Sequence, residues 1–398
     1  MSLPGFPSPL LGQNSILDQH SQAIIQKAYE AEWARSQELP TDDPLDMKRR
    51  KRVELTWGEM WSQPEVIQTT LKLEKEAIIE TARHFSKLEI DRIYMTGCGD
   101  SIASMIAVRT LFEQLLRIPC EPVQALDLAY YYHSPVNERT LVIALSSSGE
   151  TTRTIEAMLL ARALGAHILA LSNTPGSTMM RETERGLIIH AERRGWPTQS
   201  STAAMATMVQ LVLEMVRIRG DSRSQIKQFE SEFSEIPAQM KTVLLSTQEA
   251  IQKVAEQEVK RSVYLYCGGG PAYASALFGA AKVKECSPNH GIAIPLEEFH
   301  HYNSQKAGDP LFLLAPKGAS IPRAVDTLKE GKRWGGQVYC LTSEFEAHLF
   351  QGADQVIPLP DVSEVFAAFV YTIPVQLFAY YVAMEKFRSA ERNYLGKE

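Results

Sequence analysis

The sequence predicts an α/β protein made of two tandem subdomains, each a doubly wound parallel sheet. Three observations lead there. Short apolar strands alternate with helix-length segments, the pattern of parallel βαβ units. A strand, a glycine-rich turn and a helix then recur in the same order further along, as in a duplicated unit. Finally, 398 residues with 44% hydrophobic and 22% charged side chains suit a globular chain with two cores.

Residues 1–53 are rich in proline and polar residues around one helical stretch near Ile16 to Trp33, and read as an N-terminal extension. Helical periodicity opens at Thr56-Trp57-Gly58-Glu59-Met60 and runs to about Phe85, with a break expected at Pro64. Together with this leading helix, the first subdomain spans 54–220. Its strands are expected at 92–96, 122–128, 140–145, 167–172 and 186–191, with helices after the first and third. The long helical stretch 203–258 includes a connector, 221–258. The second subdomain, 259–375, carries strands at 262–267, 291–299, 310–316, 337–342 and 355–360. Helices run to Glu285 and across about 320–333. A last helix, about 364–388, leads into the C-terminal segment 376–398 with its tail RNYLGKE.

A net charge of −6 argues against a nucleic-acid partner, and the basic run Lys48 to Arg52 reads as a solvated segment. Cys98, Cys120, Cys267, Cys286 and Cys340 form an odd, scattered set without a C-x-x-C pair. That excludes a disulfide framework or zinc ribbon and fits a reducing cytoplasm. The opening MSLPGFPSPLL is not a secretory signal, and no run of about 18 apolar residues suggests a membrane helix. A cytoplasmic protein with no membrane partner is expected.

The chemistry gathers in a few motifs. SSSGET (146–151) falls where a strand ends and a helix begins, where backbone N–H groups and the helix dipole favour an anion. One hydroxyl would satisfy an N-cap, but Ser146, Ser147, Ser148 and Thr151 exceed that need. The second copy has APKGAS (315–320) there, so the hydroxyls are not a requirement of the fold. GCGDS (97–101) matches CGGGP (267–271); Ile102 stands where a dinucleotide fingerprint needs its third glycine, and no NAD is expected. Ser101 is either an N-cap or a further hydroxyl for the anion. Lys282 and Glu285, three apart, share one side of a helix, as a surface ion pair would. Glu298, His300 and His301 cluster after a strand, where a carboxylate and a histidine could shuttle protons at a sugar carbon and its ring oxygen. The histidines, His290 included, lack metal-ligand spacing, so neither metal nor cofactor is expected.

GCGDS, SSSGET, SSTAA (200–204) and KVKE (282–285) followed by EEFHH (297–301) occur in the order of the sugar isomerase (SIS) domain family. Across about 53–398 the chain resembles two such flavodoxin-like domains in tandem. The likeness is to the isomerase half of glutamine–fructose-6-phosphate aminotransferases and to related amino-sugar-phosphate deaminases and deglycases. The resemblance implies a sugar phosphate held by Ser146, Ser147, Ser148 and Thr151, with Ser101 and Ser201 completing its pocket. It implies Glu285 as general base beside Lys282, and His301 as the ring-opening histidine donated across a homodimer interface. Four departures stand out. No glutaminase half and no cysteine follow Met1, so ammonia from glutamine is not expected to be available. The family's H-G-P is His301-Tyr302-Asn303; Ala203 replaces a lysine of the synthases; Lys397, the candidate Schiff-base lysine, comes one position late. The implied function is catalysis at C1/C2 of a sugar 6-phosphate, as a glutamine-independent deaminase or a fructosamine-6-phosphate deglycase. An aldose–ketose isomerase, or a sensor without catalysis, would use part of the same site.

Overall fold

The computed structural model describes residues 9–11, 15–220 and 224–395. Helices α1 (Gln19–Ser36), α2 (Met47–Leu73) and α3 (Lys75–Phe85) come first. The first sheet unit follows: β1 (Arg92–Gly97), α4 (Asp100–Leu116), β2 (Cys120–Gln124), α5 (Ala125–Tyr130), β3 (Thr140–Leu145), α6 (Thr152–Ala163), β4 (His167–Ser172), α7 (Thr178–Arg181) and β5 (Arg185–Ile188). Helices α8 (Gln199–Ile218) and α9 (Ser224–Glu258) lead into the second. It runs β6 (Val263–Gly268), α10 (Pro271–Cys286), β7 (His290–Pro295), β8 (Pro310–Ala315), α11 (Ile321–Arg333), β9 (Gln337–Ser343), β10 (Gln355–Leu359) and α12 (Ala367–Leu395). The strand orders are β2-β1-β3-β4-β5 and β10-β9-β8-β6-β7, parallel throughout. These are the two tandem doubly wound sheets that the repeat predicts.

Why the strands read as unbroken apolar runs is plain from the packing. Along β3, Leu141, Ile143 and Leu145 face one hydrophobic cluster while Val142 and Ala144 face another, because successive side chains alternate and both faces are covered. The larger cluster is shared between the units: Ile93 and Met95 of the first sheet belong to it with Tyr264, Tyr266 and Phe312 of the second. The helical layer between the sheets holds α4, α8, α10 and α12. Helix α8 and the stretch Glu364–Tyr394 are long and apolar enough to cross a membrane, yet 83% and 89% of those windows are buried in the fold. They are core helices.

Several elements depart from expectation for local reasons. Helix α2 runs straight through Pro64. Proline removes the N–H that Met60 O would have accepted, and the Gln63 side chain supplies the missing donor, Nε2 to Met60 O at 2.9 Å. The break comes at Glu74. The apolar run 122–128 is not one strand: Gln124 Oε1 caps Leu126 N at 2.8 Å and starts α5. Helix α12 continues across residue 375, and α2 begins at Met47, inside the expected extension. Consequently the basic run is helical and only partly solvated: Arg49 is buried and reaches Thr41 O from Nε at 2.6 Å.

Duplication holds, with a one-residue correction. Gly99 and Gly270 are the N-caps of α4 and α10, with matching backbone angles (φ 58°, ψ −126° and φ 52°, ψ −132°). GCGDS therefore aligns with GGGPA (268–272) rather than with CGGGP. The sheet pairings agree, Gly97 lying opposite Leu145 and Gly268 opposite Leu314. In each sheet the strand order reverses between these two strands, which opens a crevice at their C-terminal ends.

Candidate active site

The crevice of the first sheet is bordered by the SSSGET turn. Gly149 carries φ +64°, and a Cβ there would lie 2.0 Å from Ser177 Oγ, so only glycine lets the turn close on the loop after β4. Ser146 Oγ is 2.8 Å from Thr151 Oγ1 and 3.3 Å from Ser148 Oγ, and it accepts from Gly149 N at 3.1 Å. Three hydroxyls thus gather at the N-terminus of α6, where Thr151 is the N-cap residue without spending its side chain on the cap. Ser147 anchors the turn through its carbonyl, which accepts from Asn173 N at 3.1 Å. From outside, Glu32 of α1 accepts from Thr152 N at 3.1 Å.

Ser101 is not an N-cap; it lies in the first turn of α4 behind Gly99. A Cβ on Gly97 would come within 2.7 Å of Ser101 Cβ and 2.8 Å of Leu145 O, so the start of α4 packs on the end of β3, next to Ser146. Ser201 is buried in the first turn of α8, and its carbonyl accepts from Ser104 Oγ of α4 at 3.5 Å.

Across the seam, α10 delivers Lys282 and Glu285 to the same end of α4. This is no surface pair. Lys282 is 1% exposed, bonded to Glu285 Oε2, and 2.7 Å from Asp100 Oδ2. Burial works against its charge, but the two carboxylates hold its pKa above the ordinary lysine value. Glu285 remains partly open, with 28% of its side chain exposed. Burial lifts its pKa above the usual carboxylate range against the pull of Lys282, and Asp100 adds to the rise. The opposite wall is α2: Arg49 Nη1 reaches Glu285 O at 3.4 Å, and Arg52 stacks 3.6 Å over Trp196.

Asp100, Arg49 and Arg52 were not singled out by sequence. Asp100 lies within GCGDS, where sequence alone assigns it no role, although the corrected alignment puts Pro271 opposite it. The arginines sit three apart in the basic run, the spacing of one helix face.

The two histidines separate clearly. His300 uses both ring nitrogens within its own subdomain, Nδ1 2.5 Å from Glu330 Oε2 and Nε2 2.9 Å from Thr327 Oγ1. His301 is exposed, with Nε2 3.2 Å from Glu297 Oε1, and Arg323 grips that carboxylate with two 2.8 Å bonds. Within the protomer His301 does not meet Glu285. It follows β7 near the edge where α10 begins, whereas Glu285 lies near the far end of α10, about 21 Å along the axis at 1.5 Å per residue. Asn303, in the H-G-P position, adopts φ +48°. Lys397 lies outside the described residues; Glu391 pairs with Arg50, beside Arg49. Among the described residues no group of three or more His, Cys, Asp or Glu is placed to hold a metal ion.

The second sheet's crevice is a twin without the chemistry. Matched through the two N-cap glycines, Leu111 and Gln114 stand where Lys282 and Glu285 would be. Gly318, opposite Gly149, lacks the positive φ, and a Cβ on it would lie 2.5 Å from Glu364 Oε2. A carboxylate thus covers the turn. The cleft, about 610 Å³, has Arg109 and Arg323 in its walls, already paired with Glu113 and Glu297.

Comparison with known proteins agrees with the duplicated fold. Residues 88–214 and 258–386 each match the family described as SIS domain. The isomerizing glutamine–fructose-6-phosphate aminotransferase of Thermus thermophilus is 31% identical over 335 residues, covering 82% of this chain and 55% of that protein. The chain spans about half the length of the curated relatives it matches. Among solved structures, the C-terminal domain of glucosamine-fructose-6-phosphate aminotransferase from Francisella tularensis superposes with a TM-score of 0.74 at 22% identity, over 82% of this chain and 95% of that one. Glucosamine-6-phosphate deaminase from Thermotoga maritima gives 0.65 at 20% identity, over 83% and 94%. At such identities these two likenesses concern the fold.

Proposed function

Because the chain belongs to the SIS domain family, we propose that it is an enzyme that moves a proton between C1 and C2 of an open-chain, nitrogen-bearing sugar 6-phosphate and releases the amine. The observation that carries the reading is Glu285, a partly open carboxylate held on a buried lysine that also binds Asp100, the residue before Ser101 at the start of α4.

The phosphate docks on Ser146, Ser148 and Thr151, with Ser101 beside them and Ser147 holding the turn in shape. Ser201 closes the pocket from α8. Ring opening falls to His301 of a second copy of the chain, since His300 is fully engaged and His301 cannot reach its own Glu285. Glu285 then removes a proton from one carbon and returns it to the other through an enolamine, leaving an imine. Water adds across the C=N bond, the amine departs, and a carbonyl remains. Lys282 keeps Glu285 in place throughout. The relatives named above bear on amino sugar phosphates, which supports a deaminase or a fructosamine-6-phosphate deglycase.

The test incubates the protein with glucosamine 6-phosphate, a fructosamine 6-phosphate and fructose 6-phosphate, each beside Glu285→Gln. Amine release by the wild type, reduced roughly 10²–10⁴-fold in the variant, is expected. Isomerisation without amine release would replace this reading by an aldose–ketose isomerase. Binding without turnover would make the protein a sensor.

A further inference from the structure

Asp100 has no acidic counterpart in the twin, where Pro271 stands opposite it. An acid in the first turn of a helix is favourable in any protein. Here, however, the duplicated unit starts α10 equally well with Pro271, itself a favoured first residue, so starting the helix does not call for a carboxylate. Asp100 instead crosses the seam. Its Oδ2 lies 2.7 Å from Lys282 Nζ, on an ammonium that also binds Glu285. Two carboxylates share one buried cation.

The charged and titratable groups around Glu285 come from three helices: Lys282 and Cys286 on α10, Asp100 on α4, Arg49 and Arg52 on α2. Lys282, Arg49 and Arg52 all favour the ionised, less basic carboxylate. Asp100 alone is an acid and works the other way. We propose that Asp100 is a positioning residue that divides the hold of Lys282 and so leaves Glu285 the stronger proton acceptor. This rests on Glu285 being the base. The direction agrees with the upward shift of Glu285, to which burial contributes first and Asp100 after the opposing Lys282.

The test is the pH profile of kcat/KM for Asp100→Asn, an isosteric change that removes the charge. With Asp100 neutral, Lys282 belongs to Glu285 alone, and the base weakens. The acidic limb should move to lower pH by roughly half to one unit, kcat should fall roughly two- to tenfold, and KM should hold, because the phosphate turn is untouched. Asp100→Glu should restore the limb. An unmoved limb, or a loss of kcat matched by equal losses in KM and melting temperature, would overturn the proposal. If no sugar phosphate is turned over, it is the reading of function that fails. Asp100 can then still be judged by infrared titration of the Glu285 carboxyl, taken as the difference between wild type and Glu285→Gln. A lower midpoint in Asp100→Asn supports the proposal and an unchanged one sinks it. Should Asp100→Asn not fold, Asp100→Pro, after the twin, carries the same expectation.

Discussion

Gly149 is the residue on which the SSSGET turn hinges. Alanine there would face both a left-handed backbone and Ser177 Oγ at 2.0 Å. Gly149→Ala should therefore cost about 2–4 kcal/mol in denaturant unfolding and raise KM for the sugar phosphate roughly tenfold. A variant with wild-type stability and KM would show that the turn is free to rearrange. Such residues are legible in sequence because their signal is local: a glycine among hydroxyls, at a strand end, says what it needs. Asp100 is the opposite case. Its meaning depends on Lys282, 182 positions later, and only the packing of α4 against α10 joins them. The same holds for Arg49, read from composition as solvated and found buried against Glu285 O.

Elements are set by local chemistry where it is strong, and by side chains elsewhere where it is not. The strands of both sheets were readable because burial on two faces makes them continuous apolar runs. Pro64 misleads because its lost hydrogen bond is repaired by a neighbouring glutamine, a substitution of donors invisible to propensity. The role of α1 was equally hidden, since its target lies 120 residues away. Glu32 caps Thr152 N and brings a negative charge to the end of α6 that the proposed phosphate would use. Glu32→Gln keeps an acceptor but drops the charge, and should tighten inorganic phosphate binding roughly two- to fivefold by calorimetry. Weaker or unaltered binding would mean that the carboxylate does not sense the anion.

For the molecule as a whole, the decisive fact is that one hydrophobic cluster serves both sheets. The seam that joins them also carries Lys282, Asp100 and Glu285, so the site depends on the two units staying locked together. Between copies of the chain the dependence should extend further. Glu285→Gln and His301→Asn should each be inactive alone. Unfolded together and refolded as a mixture, they should recover about a quarter of wild-type activity, because half of the random dimers then hold one intact site. No recovery would place His301 outside its neighbour's site. The sequence made the duplication visible but misjudged its register by one residue at the first turn; the N-cap angles of Gly99 and Gly270 corrected it.

The unequal crevices also record a history. A duplicated unit that keeps two identical sites can lose either without penalty. Here the hydroxyl turn is found in one unit and the lysine–glutamate pair in the other, while the second turn lies under Glu364 and the first helix has Leu111 opposite Lys282. Restoring one missing piece would not rebuild a second site, since several others are gone from the same place. The division acts as a ratchet on the proposed site, since its hydroxyl turn and its lysine–glutamate pair come from different halves of the chain.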